Sequence, residues 1–418
     1  MTVALQQVGP ADGAAHLAGT AVAALRGVRL PDGALGDVLL DGTTVALAPG
    51  EGADLDAQGW RVLPAACEPH AHLDKALTAS RLPPGTGNDL VAACDSWRVL
   101  LPTIDRADTE ARALAAVRRY VARGITAIRS HVDLHVGPDP FRAVDALTGL
   151  RERLRGRVTL QVCLLAGHET PTELVAAAAD RGIDVMGGCP HLADDPRAEC
   201  TRMLDIAEAR NLPVDLHVDE VTDLPESDDD LDTVELARQT LARGLTHPVT
   251  ASHAVRLGML PADRLDAVLA DVLRAGLGVV TLPITNLYLQ GRDAVCAAPR
   301  GLTAVRALLA AGIPLAAGAD NVRDPFNAAG RADPFETTSL LQTAGHLTAE
   351  QALHAVTTGA RGVLGLPQAG VAPGDVADLI LVPDVDLGDV LAGAEDARIV
   401  LSGGRVVADT RVQRSLEV

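Results

Sequence analysis

Between about residues 63 and 366, short apolar runs alternate with amphipathic segments rich in Ala, Leu and Arg, such as ADTEARALAAVRRYVARG. This strand-then-helix rhythm is typical of a parallel sheet covered by helices. We identify eight candidate strands, near residues 62–69, 125–134, 158–166, 184–190, 213–219, 249–253, 278–285 and 314–320. Eight βα units over about 300 residues predict a (β/α)8 TIM-type barrel.

A doubly wound parallel sheet is the main structural alternative. Such a sheet would carry a glycine-rich phosphate-binding loop directly after a strand. The only candidate loop, GTGND from Gly85, lacks the third glycine and follows no candidate strand. The sequence therefore favours the barrel.

Both ends of the chain have a different texture, with short β-prone runs broken by turn signals. Residues 20–63 include GDVLLDGTTVALAPG, and the other end contains GDVADLILVP and ARIVLSGGRVVAD. Two β-rich ends around a different middle suggest one small domain built from both termini. We therefore predict a β-sandwich formed by residues 1–63 and 371–418, around a catalytic barrel domain of residues 64–370.

Composition limits the partners of this chain. Hydrophobic residues make up 48% of the 418 residues and charged residues 22%, as in a soluble globular protein. The net charge of −19 argues against nucleic acid, since phosphate binding requires a positive surface. No apolar run is long enough to span a membrane, and the amino terminus lacks the pattern of a signal peptide. We expect a cytoplasmic protein that acts on a small molecule.

Two histidines one residue apart, His70 and His72 in EPHAHLDKAL, follow the first apolar run. Residues i and i+2 of an extended strand share a face, so both imidazoles can reach one metal ion. His217 in PVDLHVDE, His253 in VTASHAV and Asp320 in PLAAGADN each close a later β-prone run. Because the carboxyl ends of barrel strands gather at one mouth, we expect these five residues to form one site.

Imidazoles with a carboxylate are a ligand set that suits Zn²⁺ or Fe²⁺. A catalytic ion keeps one position open for water and lowers the pKa of that water to about 7. Glu220 lies three residues after His217, where its carboxyl could shuttle a proton, and Asp320 could accept a proton from the water. The chain has no Gly-x-Ser-x-Gly nucleophile motif and no His-x-Glu with Pro-Cys-x-x-Cys. These features predict a metal-dependent hydrolase.

Seven motifs, in the same order and spacing, resemble the amidohydrolase superfamily and, within it, the bacterial cytosine deaminase-like family. They are EPHAHLDKAL, RSHVDLH, PHLADDP, LHVDE, ASHA, TNLYLQGR and GADNVRDPF, and the resemblance runs from about residue 27 to 407. It implies one divalent metal ion, Zn²⁺ or Fe²⁺, bound by four residues, namely His70, His72, His217 and Asp320. It also implies that Glu220 shuttles a proton and that His253 hydrogen-bonds to the metal-bound hydroxide.

The resemblance implies deamination of a small cytosine-like nitrogen heterocycle with release of ammonia. Where cytosine deaminases grip the substrate with a glutamine, this chain has LLAGHET, which offers His168. Asn321 replaces a residue that is usually acidic in that family, whereas Gln290 matches it. We therefore expect these three residues to contact the substrate. Many members of the superfamily bridge two metal ions with a carboxylated lysine on an interior strand. The only lysine here, Lys75, follows the first metal strand, so the resemblance implies a single ion.

Two other interpretations remain open from the sequence. The same machinery could open a cyclic amide or release an alkylamine from a triazine-type ring. A metal-binding or ligand-sensing protein without catalysis is disfavoured, because Glu220 and His253 have no evident use in binding alone. For the enzyme we expect a homo-oligomer.

Overall fold

The chain begins with strands that lie outside the barrel. The computed structural model describes residues 3–4, 16–83, 89–135, 137–412 and 415. The strands before the barrel are β1 Val3–Ala4, β2 Val22–Arg29, β3 Leu35–Asp41, β4 Thr44–Ala46, β5 Ala53–Asp56 and β6 Trp60–Pro64. Gly42, in the Asp-Gly turn between β3 and β4, has a φ of 58°, a left-handed conformation that glycine adopts readily. This turn lets β3 and β4 pair antiparallel.

Eight parallel strands then form the barrel, in the same order in the sheet as in the chain. They are β7 Ala66–Ala71, β8 Ile125–Asp133, β9 Thr159–Ala166, β10 Val185–Gly188, β11 Val214–Val218, β12 Val249–His253, β13 Gly278–Thr281 and β14 Leu315–Ala317. A parallel bridge between Ala71 and Asp320 joins the first strand to the segment after the last. The backbone N–H of Ala319 also donates to both carboxylate oxygens of Glu68, at 2.9 and 3.1 Å. The predicted (β/α)8 barrel is confirmed.

Helices alternate with the strands along the chain. They are α1 Leu90–Leu100, α2 Arg106–Ala122, α3 Arg142–Leu154, α4 Thr172–Ala179, α5 Pro196–Glu208, α6 Asp232–Arg243, α7 Ala262–Ala275, α8 Pro283–Leu289, α9 Val305–Ala310, α10 Pro334–Thr343, α11 Ala349–Val356, α12 Thr358–Val363 and α13 Leu387–Gly393. The segment recognised as amphipathic forms α2, which buries Ala113, Ala116, Val117 and Tyr120 at helical spacing. Asp105 caps its first turn by accepting from the backbone N–H of Asp108.

Three strands near the carboxyl terminus return to the first strands. These are β15 Leu379–Pro383, β16 Arg398–Ser402 and β17 Arg405–Thr410. Because β15 pairs antiparallel with β6, strands from both ends of the chain share one nine-stranded sheet. Its apolar side buries Trp60 and Leu381 in a core of its own. The β domain made of both termini is confirmed, and the boundaries at 63/64 and 370/371 stay predictions.

The strand limits differ most from the sequence prediction at the seventh and first strands. The predicted seventh strand, 278–285, ends at Thr281, because Pro283 starts α8, and proline is favoured in a first helical turn. The first predicted strand, 62–69, is divided at residue 65 between β6 of the terminal sheet and β7 of the barrel. None of the helices in the described part of the chain has both the length and the apolar character that a membrane span requires.

Candidate metal centre and active site

The polar residues predicted to form the site meet at the carboxyl ends of the barrel strands. His70 lies in β7 and His72 directly follows it, while His217 lies in β11 and His253 ends β12. Asp320 is three residues beyond β14. All five side chains are buried, and each comes from a position where a strand gives way to the loop above it.

Four ligand-type atoms converge. His70 Nε2 lies 3.0 Å from His217 Nε2, which lies 3.4 Å from His72 Nε2. Asp320 Oδ1 is 3.2 Å from His72 Nε2 and 3.9 Å from His70 Nε2. Atoms bound to one tetrahedral Zn²⁺ lie roughly 3.4 Å apart, so this spacing fits a divalent ion.

The hydrogen bonding of these atoms also fits a metal ion. Asp320 Oδ1 is buried and has no hydrogen-bond partner among the described residues, although His72 Nε2 is close. Two neutral imidazole nitrogens that face each other share at most one proton, whereas a cation satisfies both lone pairs. His70, His72 and Asp320 form one of the residue groups whose ligand atoms lie within 4.8 Å of one another. The cluster can therefore hold a divalent metal ion.

Burial controls the charge of these side chains. Burial first, and neighbouring imidazoles second, lower the pKa of His70 and His217 well below 6.5. Burial and then the positive charge of Lys75 do the same to the pKa of His72. The histidines are thus neutral at pH 7, which is the form that binds a metal.

The backbone is strained at two of these positions. His253 has a φ of 70° and Asp320 a φ of 64°, in the left-handed region that few non-glycine residues occupy. Each such residue costs about 1–3 kcal/mol and persists only when the surrounding structure holds it. Strained residues with an acid–base side chain at a barrel mouth are typical of an active site.

Glu220 lies beside the cluster in a pocket of imidazoles. Its Oε1 is 3.4 Å from His253 Nδ1, and its Oε2 is 3.7 Å from His191 Nε2. Burial raises the pKa of Glu220 to about 8. A carboxyl with this pKa can both give and take a proton near neutral pH. Asn286 Nδ2 donates to His253 Nδ1 at 3.0 Å, so the neutral imidazole of His253 carries its proton on Nε2.

The three predicted substrate residues have different surroundings. Gln290 Nε2 donates to the backbone carbonyl of Glu220 at 2.7 Å, and Asn321 Nδ2 donates to Asp324 Oδ2 at 2.8 Å. His168 is half-buried in the turn after β9. Among the described residues, no hydrogen bond or ion pair joins His168 to the metal-type cluster. The amides of Gln290 and Asn321 thus hold neighbouring protein groups.

A further group of polar and aromatic residues lies next to His72. Lys75 Nζ is 3.3 Å from His72 Nδ1 and 2.6 Å from Asp133 Oδ1. The other oxygen of Asp133 accepts from Trp97 Nε1 at 2.6 Å. The Trp97 and Phe326 rings lie 5.6 and 5.9 Å from Lys75 Nζ. The position of Asp133 at the end of β8 was the sequence signal for it, whereas its partners come from separate segments of the chain.

Residues 90–408 match the sequence model of the amidohydrolase family. The chain belongs to the amidohydrolase family. This amidohydrolase is 31% identical to a pterin deaminase of Rhizobium rhizogenes over 392 residues, which cover 90% of this chain and 86% of that protein. The predicted resemblance to this superfamily is confirmed.

Solved structures give the same assignment. The 5-methylcytosine deaminase of Klebsiella pneumoniae liganded with phosphonocytosine superposes with a TM-score of 0.84 at 25% identity, covering 94% of this chain and 100% of that one. The N-isopropylammelide isopropylaminohydrolase of Burkholderia multivorans superposes with a TM-score of 0.78 at 29% identity, covering 93% and 98%. This amidohydrolase therefore shares both the barrel and the terminal β domain with enzymes that act on nitrogen heterocycles.

Proposed function

We propose that this amidohydrolase uses one divalent metal ion, Zn²⁺ or Fe²⁺, to deaminate a small cytosine-like nitrogen heterocycle with release of ammonia. The observation that carries the proposal is the convergence of three imidazoles and one carboxylate beside the buried carboxyl of Glu220. The similarity to a pterin deaminase and a 5-methylcytosine deaminase supports the reaction type. In both named substrates a ring carbon next to a ring nitrogen carries the amine.

His70, His72, His217 and Asp320 would hold the ion. Neutral imidazole nitrogens with one carboxylate oxygen suit Zn²⁺ and Fe²⁺ better than Mg²⁺ or Ca²⁺, which prefer oxygen ligands. Lys75 contacts His72 at Nδ1, the ring nitrogen away from the cluster, and Asp133 holds its ammonium. This arrangement supports a single ion, because Lys75 is not in a position to bridge two.

The bound ion supplies a Lewis acid that lowers the pKa of a coordinated water to about 7. Glu220 moves the protons: its carboxyl protonates the ring nitrogen next to the amine-bearing carbon as water adds to that carbon. The resulting carboxylate takes both protons of the added water in turn: one restores the Glu220 carboxyl, and the other passes to the amine, so that the C–N bond breaks, the added oxygen becomes a carbonyl and ammonia leaves. The pKa of about 8 at Glu220 suits both transfers.

His253 would act as a hydrogen-bond donor in this reaction. Asn286 donates to its Nδ1, and its Nε2 is buried without a hydrogen-bond partner among the described residues. An Nε2–H in that position can donate to an oxygen that gains negative charge as water adds to the ring. Asp320, which would also hold the ion, is the second candidate acceptor for the proton of the water.

The substrate ring would lie next to Trp97 and Phe326, close to Lys75 and Asp133. His168, Gln290 and Asn321 stay our predicted substrate contacts, and Gln290 Nε2 also holds the backbone carbonyl of Glu220. A homo-oligomeric state and a cytoplasmic location also stay predictions from the sequence.

Ammonia release tests the proposal directly. Enzyme loaded separately with Zn²⁺ and Fe²⁺ would be given cytosine, 5-methylcytosine, isocytosine, pterin and aminotriazines. We expect ammonia with the ring intact from at least one compound, and its loss in Glu220→Gln. Glu173→Gln, which changes an exposed glutamate on α4, is the matched control and should retain turnover. A new carboxylate or an alkylamine as the product would instead favour ring opening or amine release.

A further inference from the structure

We propose that Ser252 and Asp215 position His70 for the metal ion through a chain of two hydrogen bonds across the barrel interior. The proposal rests on the metal site described above and assigns its orientation to residues that touch neither the ion nor the substrate. Ser252 lies in β12, Asp215 in β11 and His70 in β7.

The direction of each hydrogen bond follows from the chemistry of the groups. Ser252 Oγ lies 2.6 Å from Asp215 Oδ1 and 3.0 Å from His70 Nδ1. A carboxylate only accepts, so the hydroxyl of Ser252 donates to Asp215. The oxygen of Ser252 then has lone pairs left, and it accepts the Nδ1–H of His70. His70 is thereby held in the tautomer whose Nε2 lone pair faces His217 Nε2, 3.0 Å away.

Asp215 is itself fixed from the opposite side. Arg129 Nη1 donates to Asp215 Oδ2 at 2.8 Å, and Arg129 Nε donates to Gln161 Oε1 at 3.0 Å. Arg129 Nη2 reaches the backbone carbonyl of Leu364 at 3.4 Å. Arg129 and Asp215 are both buried, so neither can turn away without losing partners that water would not replace. The carboxylate is therefore a rigid anchor for Ser252.

The other histidines of the cluster lack this arrangement. Among the described residues, His217 Nδ1 has no hydrogen-bond partner, and His72 Nδ1 faces Lys75 Nζ, which has donors only. The His70 ring is also stacked on His131, with 3.8 Å between ring centroids. Ser252 therefore fixes the ring orientation and the tautomer of His70 through Nδ1, the nitrogen that faces away from the ion. Hydrogen bonds of this kind usually raise metal affinity about 10- to 100-fold.

The test compares the zinc affinity of wild type, Ser252→Ala and Thr281→Val by competition with a chelator. Thr281 is a matched control, because it ends the neighbouring strand β13, is buried and has a hydroxyl without a hydrogen-bond partner among the described residues. We expect the Kd for zinc to rise about 10- to 100-fold in Ser252→Ala. Ser252→Thr, which keeps the hydroxyl, should recover most of the affinity. The melting temperature of each metal-free variant reports the fold separately.

Three results would overturn the proposal. The first is a Ser252→Ala variant whose zinc Kd stays within about threefold of wild type. The second is an equal loss of affinity in Thr281→Val, which would make the effect one of general packing. The third is a wild-type protein that binds no zinc, which would remove the proposed metal site as well. Asp215→Asn is a weaker test, because it also breaks the buried pair with Arg129 and threatens the fold.

Discussion

Two groups of buried polar side chains in this amidohydrolase differ in their hydrogen bonding: the protein supplies partners to one group and leaves atoms of the other without them. Arg398, in β16, is fully buried and makes a bidentate pair with Asp333 at 2.9 and 3.1 Å. It also donates to the backbone carbonyls of Arg123, Ala394 and Glu395. At the barrel mouth, by contrast, Asp320 Oδ1 and His253 Nε2 are buried without hydrogen-bond partners among the described residues.

The difference separates a structural role from a chemical one. Arg398 joins the terminal sheet to the residue that caps α10, and its hydrogen bonds are all supplied by the protein. An unpaired buried polar atom costs about 1–3 kcal/mol, so a cluster of them persists only if a ligand completes it. Paired buried charges therefore indicate stability at Arg398, and the cluster of unpaired ligand-type atoms at the barrel mouth indicates a binding site.

Removing a metal ligand should have the largest effect. In His217→Ala the ion loses one of its three imidazoles, and we expect both stoichiometric zinc binding and ammonia release to fall below detection. The metal-free variant should remain folded, because Nδ1 of His217 has no described hydrogen-bond partner to lose. Metal analysis, an ammonia assay and circular dichroism would measure the three outcomes. Unfolding of the metal-free variant would instead show that His217 has a structural role.

Glu220→Gln should lower turnover by about 10²- to 10⁴-fold, because the amide cannot move a proton. Zinc affinity should change little, since Glu220 is not expected to bind the ion. The measurement is kcat for ammonia release alongside zinc titration. Loss of metal binding in this variant would show that Glu220 belongs to the ligand set.

Arg398→Ala should produce the reverse pattern. Removing one partner of a buried ion pair costs about 3–5 kcal/mol, so the free energy of unfolding should fall by that amount. Zinc affinity and kcat of the folded fraction should match wild type. Arg306→Ala, at an exposed position on α9, is the control, and urea unfolding is the measurement. A catalytic defect in Arg398→Ala without loss of stability would show that Arg398 does not have a purely structural role.

The stability of the metal-free protein should depend on pH through Glu220. The pKa of this carboxyl is about 8 when folded, against an ordinary value of 4.5, so the folded state retains its proton longer. The favourable contribution of the group is present below pH 4.5 and is lost as the pH rises towards 8, by about 1.4 kcal/mol per unit. Glu220→Gln should therefore gain stability relative to wild type between pH 5 and 8. If the free energies of unfolding of wild type and Glu220→Gln differed by the same amount at every pH, Glu220 would not be a buried, neutral carboxyl.

The smallest effect is expected at an exposed pair. Arg98 and Asp95 lie 3.0 Å apart on α1, with their side chains 65% and 64% exposed. Asp95→Asn should change the free energy of unfolding by at most about 0.5 kcal/mol and leave turnover unchanged. A loss of more than about 1 kcal/mol would show that solvent does not screen charge on this surface as assumed.

The sequence predicted the barrel, and it placed the candidate site residues at the ends of strands, because both follow from local rules. Hydrophobic periodicity identified β11 and β12, and parallel strands bring their carboxyl ends together. This is why the sequence alone predicts that His70, His72, His217 and Asp320 form one group. Their separation of 3.0–3.9 Å for the measured pairs is the structural counterpart of that expectation.

The residues that support the site were not predictable in the same way. Ser252 directly precedes His253, and Asp215 lies two residues before His217. Nothing in either segment indicates that the side chains of Ser252 and Asp215 meet. The contact depends on the register of β11 against β12, in which His217 lies opposite Ser252. Asn286 likewise belongs to a recognised motif, but its hydrogen bond to His253 requires the turn into α8. Pairing across strands is set by three-dimensional register, which periodicity does not encode.

Metal titration of the metal-free enzyme tests the central claim most directly. Chelated wild type would receive increasing Zn²⁺, and ammonia release from the best substrate would be followed at each step. We expect no activity without metal and a linear rise that ends at one ion per chain. Activity that persists without metal, or a rise that continues to two ions per chain, would contradict this expectation.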